Sequence, residues 1–577
     1  MSDYDLKYKN KYLKYKNKYL NLLSQIGGNE GSTDDILNLL WFFNSDWDLG
    51  KFNEKYFFVE NNKKIYNKLI DDNNITSFNF SNYKITKNFI QNITEFLKIN
   101  NKIMTIKLRS INPPIDHNGA IKLANVLITR GMLSELIIRN NSIGNYGAIA
   151  IAEVLKQNNG LKKLDIGINQ IGIDGATAIA EALKENRGLT ILDISINQIR
   201  HKGARAIKKA LIDNTVLTTL YIGGNDIGDN GAKTIAKALL ENKVLTTLYM
   251  GGNGIGDNGA KAIAKALLEN KVLTTLDIGD NDITQHGAEV IAIALKENQK
   301  LTILIISLNK INDIGAIAEA LKINKGLTTL EINFNHIGDE GAKLLAEILK
   351  INTTLTKLNI GYTKIGDDGA EAIASALKTN TNLDELNIEN NLFRFRGTKA
   401  IAESLKINTH LTKLNISSNL YDVEKTEAIA IAIVIAEVLK KNTQLTILAY
   451  RVNQIGDEGA IAIAEALKTN EHLIELDIDG NKIDRGAIAI FTALITESDT
   501  SKTKLQKLSL QNNKITAETM KQIVDALKRN ITLTYVDLRD NVGKRNEEIK
   551  TRINNEIIEL KQKRNTINPK NQIEILW

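Results

Sequence analysis

An asparagine recurs along this chain at a step of 28 residues, at Asn141, Asn169, Asn197, Asn225, Asn253, Asn281 and Asn309. After one shorter unit it returns at Asn335, Asn391, Asn419, Asn453, Asn481, Asn513 and Asn541, with Thr363 standing in once. Around it lies the spacing Leu-x-x-Leu-x-(Ile/Leu)-x-x-Asn-x-Ile, followed by Gly-Ala and an apolar helical pattern. A register held this long excludes one ordinary globular core and requires a stack of like modules. It also lifts the limit of roughly 250 to 300 residues on a single core, so the length of 577 residues does not by itself demand several domains.

Each module is expected to be a short strand, a turn and a helix. In Leu217-Thr218-Thr219-Leu220-Tyr221-Ile222 the two Leu and the Ile point inward while Thr219 and Tyr221 point outward, the alternation of a half-buried strand. Ala232, Ile235, Ala236 and Leu239 then repeat at helical spacing, with Asp229 or Asn230 as candidate N-cap and Gly231 where backbone packs closely. One strand and one helix cannot bury their own apolar faces. Stacked copies can, giving an α/β array with a parallel sheet on one side and helices on the other. The Asn has its own reason: the chain turns inside the core as it leaves the strand, stranding backbone groups that cost about 1 to 3 kcal/mol each if unpaired. A carboxamide both donates and accepts, so a column of Asn can serve neighbouring turns.

The 28-residue unit with its Asn and Gly-Ala helix resembles the leucine-rich repeats of ribonuclease-inhibitor type. The match runs over residues 75–542, with weaker first units led by Ile75-x-x-Phe78-x-Phe80 and Ile103-x-x-Ile106-x-Leu108. The resemblance implies a leucine-rich-repeat solenoid, a horseshoe whose strands line a concave binding face; it implies no particular ligand. The period breaks three times, and these breaks are expected to be surface loops: the unit from Leu301 is two residues short, that from Leu411 gains six, and that from Leu473 gains four.

The ends differ from the body. Residues 1–28 alternate Lys and Tyr, as in Tyr8-Lys9-Asn10-Lys11-Tyr12-Leu13, and close on Gly27-Gly28. This basic helical leader resembles one found on proteins of mimivirus-type giant viruses, which implies a setting in the host cytoplasm or the virion. Residues 29–74 are rich in aromatics, including Trp41, Phe42, Phe43 and Trp47, and suit a helical cap on the first open face of the array. The order Asp34-Asp35-Ile36-Leu37, Asp48-Leu49 and Phe58-Val59-Glu60 is also similar to an F-box, although the opening Leu-Pro is missing. That resemblance implies a substrate adaptor of a cullin-type ubiquitin ligase, with a Skp1-like subunit as partner. Residues 543–577 place Ile549, Ile553, Ile557 and Leu560 at helical spacing before Pro569, a closing cap helix and tail.

Composition excludes several chemistries. No Cys occurs, which removes disulfides, thiolate metal sites and cysteine nucleophiles and fits a reducing, intracellular compartment. The net charge of +7 is matched by the two tails, +4 in residues 1–28 and +3 in residues 543–577, leaving everything between them neutral in sum, with no bulk bias toward nucleic acid expected there. No apolar run reaches the roughly 18 residues of a membrane span. The six His are dispersed with no metal-ligand spacing, so no metal or cofactor is expected. Outward carboxylates such as Asp165, Asp193, Asp277, Glu331, Asp477 and Asp537 follow the repeat and mark no acid-base pair. Gly254-x-Gly256-x-x-Gly259 matches the dinucleotide fingerprint, but the sister repeat has Asp226 at the place of Gly254, so it is an ordinary repeat turn. The expectation is a non-catalytic scaffold that binds a protein partner.

The partner-binding residues expected from the pattern are Tyr221, Tyr249, Asp277 and Asp280. They gather two aromatic anchors and two acids beside the small residues Gly223, Gly251 and Gly279. Tyr suits this role because it offers a large contact area, a polar tip and few rotors.

Overall fold

The computed structural model describes residues 76–82, 89–420, 424–495, 503–541, 547–567 and 573–577. The leader of residues 1–28 and the segment 29–74, with its cap and F-box-like readings, lie outside the described residues. The chain divides between Ile305 and Ile306 into two compact units.

The first unit holds strands β1 (Ser77–Asn79), β2 (Thr105–Lys107), β3 (Glu135–Ile137), β4 (Lys163–Asp165), β5 (Ile191–Asp193), β6 (Thr219–Tyr221), β7 (Thr247–Tyr249), β8 (Thr275–Asp277) and β9 (Ile303–Ile305). Each pairs in parallel with the next, so Leu192, Leu220, Leu248 and Leu276 stand side by side. These central leucines are fully buried, as are Leu217 and Ile222 beside them and Ala232, Ile235 and Leu239 on the helix Gly228–Glu241. Truncating any such Leu to Ala costs about 2 to 5 kcal/mol. Thr219 and Tyr221 are the half-exposed partners of that alternation.

The second unit repeats the scheme with β10 (Thr329–Glu331), β11 (Lys357–Asn359), β12 (Glu385–Asn387), β13 (Lys413–Asn415), β14 (Ile447–Ala449), β15 (Glu475–Asp477), β16 (Lys507–Ser509), β17 (Tyr535–Asp537) and β18 (Glu574–Leu576). The closing helix Glu547–Ile567 buries Ile553, Ile557 and Leu560. Beyond it, the final strand β18 pairs in parallel with β17. Lys561 Nζ donates to the Ile575 carbonyl at 3.0 Å, and Trp577 Nε1 to Asn554 Oδ1 at 2.6 Å. Helix and strand together therefore satisfy an edge that would otherwise stay open.

The expected asparagine column is present. Asn225 Nδ2 donates to its own Ile222 carbonyl and to Ile194 one repeat back, both at 3.0 Å. Its backbone N–H donates to Asn253 Oδ1 at 2.9 Å, and Asn253 in turn reaches Asn281 Oδ1 at 3.0 Å. Thr363 is the weak rung: its one hydroxyl proton serves either Ile360 O at 2.6 Å or Asn391 Oδ1 at 3.1 Å. A second column of buried Asn closes the helices, which the sequence reading missed. Asn186 Nδ2 donates to Leu155 O at 2.7 Å while its Oδ1 accepts the N–H of Gly188 and Leu189, and Asn242 and Asn270 do the same in their repeats.

The expected N-cap is corrected. Asp229 lies inside the first turn of its own helix and makes no cap there; its Oδ1 accepts N–H bonds from Gly256 and Gly259 at 2.9 and 2.8 Å, at the start of the next helix. Asp257, Asp339 and Asp367 act likewise on Thr284 and Gly287, Gly366 and Gly369, and Arg394 and Gly397. The stacking distance between helices makes the orphan N–H groups of the following repeat the nearest donors, and a carboxylate there also meets the positive end of the helix dipole. The breaks in period are corrected in part. In the short unit the loss falls within the helix, which spans Gly315–Ile323 where Gln285–Glu297 shows the usual length. Of the six-residue gain around Tyr421 to Glu427, residues 421–423 lie outside the described residues while Lys425 to Glu427 open the helix Lys425–Leu439 and so are not loop; of the four-residue gain around Glu497 to Lys504, residues 497–502 lie outside the described residues.

Candidate functional site

Outward strand positions form continuous rows because parallel pairing keeps equivalent residues opposite one another. In the first unit the last residue of each strand gives the row Asp193, Tyr221, Tyr249 and Asp277, in register from β5 to β8. The rings of Tyr221 and Tyr249 lie parallel, 4.5 Å between centroids at an interplanar angle of 1°. Asp277 follows on β8, its Oδ1 accepting the Gly279 N–H at 2.8 Å. Burial pushes its carboxyl above the usual range, and the nearby Asp280 adds to the shift. Asp280 is exposed in the left-handed turn after β8, at φ 50°, and leans toward Gly252, where a Cβ would lie 3.3 Å from its Oδ2. The structure thus brings Tyr221, Tyr249 and Asp277 into one row, with Asp280 at its margin.

The glycine floor has a packing cause. A Cβ at Gly223 would lie 2.8 Å from the Gly251 carbonyl oxygen, closer than such atoms approach. The smooth surface beside the tyrosines is therefore a product of tight strand spacing, and it leaves the Tyr rings as the features that stand proud.

Other outward acids are already paired, which the sequence did not reveal. Arg139 Nη1 lies 2.6 Å from Asp193 and 3.4 Å from Asp165, and Arg109 lies 3.6 Å from Asp165. In the second unit Arg451 meets Asp477 at 2.5 Å and Arg539 meets Asp537 at 2.5 Å. Asp479, beside Asp477, is pushed up to about 6 by burial and by that neighbouring charge. Lys107, Glu135 and Lys163 form an ion-paired row on the first unit, as Lys357, Glu385 and Lys413 do on the second. Among the described residues no cation acts on Asp277. That separates it from Asp165, Asp193, Asp477 and Asp537.

The glycine motif is filled from within. Gly256 and Gly259 direct their N–H groups at Asp229 Oδ1, so a carboxylate occupies the place a phosphate would take. Gly259 is glycine because a Cβ would come within 2.5 Å of Ile255 and 2.8 Å of that oxygen. Of the turn histidines, His336 is exposed, and His286 sits exposed in the first turn of the helix Gln285–Glu297. Among the described residues no group of three or more His, Asp or Glu is placed to hold a metal ion, and no helix is long and apolar enough to cross a membrane. An open recess of about 490 Å³ in the first unit is lined by uncharged side chains such as Ser110, Asn112, Asn140, Ile168, Gln170 and Ile196.

Nine segments match the family model described as Leucine Rich repeat, at residues 157–180, 185–208, 213–236, 241–264, 269–292, 297–318, 324–346, 352–374 and 441–464. No curated protein matches the chain. Among solved structures, it is similar to Leiomodin-1 Actin-Binding Site 2, with 27% identity over 26% of this chain and 86% of that one and a TM-score of 0.23.

Proposed function

Leucine-rich repeats build this chain, and on that premise we propose that it is a non-catalytic scaffold whose helix-free sheet face binds a protein partner. The binding residues are Tyr221, Tyr249, Asp277 and Asp280. The observation that carries this reading is the parallel pair of half-exposed Tyr rings set beside a carboxylate that no cation among the described residues offsets. A partly buried carboxylate held at some energetic cost is ready to accept a bond from a partner's Arg or Lys, and the ring pair offers contact area at little entropy cost. The 28-residue period and the helix in each unit support a ribonuclease-inhibitor-like form of the repeat. The Tyr/Lys leader supports a partner met in the host cytoplasm or the virion.

Site-specific photo-crosslinking tests the placement. A photoreactive residue at position 249 is expected to trap a protein adduct in extract from the native cells, while the same residue at the helix position Lys265 traps none. Equal trapping at both positions would contradict the assignment.

A further inference from the structure

The chain between its two tails is neutral in sum, yet three adjacent helices of the first unit concentrate positive charge on their outer face. Repeat helices end on a buried Asn, and the residue five places before it faces outward. In many repeats that residue is an acid paired with the Lys three places on, as in Glu153 with Lys156 and Glu181 with Lys184, both at 2.7 Å, and Glu437 with Lys440 at 2.6 Å. Among the described repeats only the helices Arg200–Asp213, Gly228–Glu241 and Asp257–Glu269 invert the arrangement. The acid becomes Lys209, Lys237 and Lys265, and its partner becomes Ile212, Leu240 and Leu268. One turn earlier stand Arg205, Lys233 and Lys261. All six cations are exposed, and none has a hydrogen-bond or ion-pair partner among the described residues.

Side chains one turn apart lie about 5 to 6 Å from each other and packed helices about 8 to 10 Å, so the six make a compact array of two rows of three. Exposed Lys202, Asn230 and Asn258 extend it by one more row of donors. The acids of these helices stay outside it. Asp229 and Asp257 accept N–H groups at the start of the next helix, and Asp213, Glu241 and Glu269 stand beyond the Lys row at the helix ends. On the flanking helices Glu181 is held by Lys184, and Glu289 lies 3.5 Å from His286. Like charges this close repel one another, and a bound polyanion relieves that repulsion.

We propose that this array binds the phosphate backbone of a nucleic acid duplex without regard to its sequence. Such binding draws on point charges alone, and point charges are what the array supplies. A protein segment matches it less well, because Lys is depleted from protein interfaces and the two cation rows offer no apolar anchor. They also carry no aromatic side chain on which an unpaired base could stack, which favours a duplex over a single strand. A lipid plane that reached the array would also press on Asp213, Glu241 and Glu269, whereas a duplex presents a narrow line of phosphates. The array lies on the helices and the Tyr221 row on the strands, so the inference does not rest on the protein site proposed above.

Fluorescence anisotropy on the full chain decides it, with labelled 20-base-pair DNA duplexes of two unrelated sequences. Both are expected to bind alike, within about twofold, and to weaken steeply as salt rises. Lys209→Glu, Lys237→Glu and Lys265→Glu together should lower the affinity about thirtyfold or more and make the slope of log affinity against log salt shallower by about three. Other repeats carry Glu at this place, so the melting temperature should hold; should it fall, the matching Gln variant carries the test with a loss of about tenfold. The tails are basic too, and a second triple variant controls for overall charge: Lys350→Glu, Lys378→Glu and Lys406→Glu, all exposed on the second unit, should change the affinity by less than about threefold. No duplex binding, an equal loss in the two triple variants, or full binding by the first would overturn the proposal. So would a labelled poly-Glu peptide that binds more tightly than the duplex and is lost with the same variant, which would make the array a dock for an acidic protein. Binding to phosphatidylserine vesicles in preference to the duplex would overturn it in favour of a membrane surface.

Discussion

Two stretches use the same positions of the repeat for opposite chemistry. From Tyr221 to Asp282 the turns carry Gly224, Gly252 and Asp280, and the exposed charges around them are Asp226, Asp280 and Asp282. From Leu308 to Lys364 the turns carry Leu308, Phe334 and Tyr362, and the residues two places further on are Lys310, His336 and Lys364. In the first stretch the backbone is relaxed and the aromatic rings sit on the strands; in the second it is strained and the rings sit in the turns. The scaffold therefore fixes where a side chain projects and leaves open what it is. On the function proposed above, stability and recognition are drawn from different columns of one repeat.

The comparison can be broken most forcefully through the ladder that both stretches share. Asn253→Leu should cost about 3 kcal/mol or more, since it removes the donor for Ile222 and Met250 carbonyls and the acceptor for the Asn225 N–H, all of them buried. Urea unfolding followed by circular dichroism would show it. Next in size, Gly252→Val should destabilise by about 2 kcal/mol, because a β-branched residue enters the left-handed region at φ 67°. A loss far below that would mean the strain assigned to Phe334 and Tyr362 is not real. In the other stretch the sign reverses. Thr363→Asn should stabilise by about 1 kcal/mol by restoring a full rung, and Phe334→Asn should raise the melting temperature by removing strain at an exposed site.

The smallest effect concerns Asp277. Its folded pKa is raised above the unfolded value of about 3.9, so the folded state keeps the proton to higher pH and stability falls as pH rises through the raised value. Asp277→Asn should accordingly raise the melting temperature at neutral pH and make no difference once pH drops below the unfolded pKa. An advantage that persisted in acid would assign the gain to something other than the buried charge.

The period carried much of this into view before any coordinates. Strand, turn and helix repeat because an Ile, Leu or Ala at each fixed place must find its copy next door, and Leu220 beside Leu248 follows from the 28-residue step alone. The stacked tyrosines follow the same way, since equal offsets put Tyr221 opposite Tyr249. Contacts between unlike positions were hidden. Asp229 looks like a local cap, yet its donors lie 27 and 30 residues on, and a local rule cannot reach them. Arg139 neutralises Asp193 across 54 residues, which depends on side-chain reach and not on register. The second Asn column at Asn186, Asn214, Asn242 and Asn270 was visible at the same step and went unread, because its residues fall where a helix ends and an Asn there looks like a loop. The left-handed turns at Leu308, Phe334 and Tyr362 could not be read from those residues, for the conformation becomes known only from the backbone.

Partner capture by a double variant tests the central claim, that the outward strand side chains and not the scaffold carry recognition. With Tyr221→Ala and Tyr249→Ala together, the chain should melt within a few degrees of the wild type, because neither ring is core, and lose about tenfold or more in affinity for the protein trapped at position 249. An unchanged affinity with an unchanged melting curve would contradict the account.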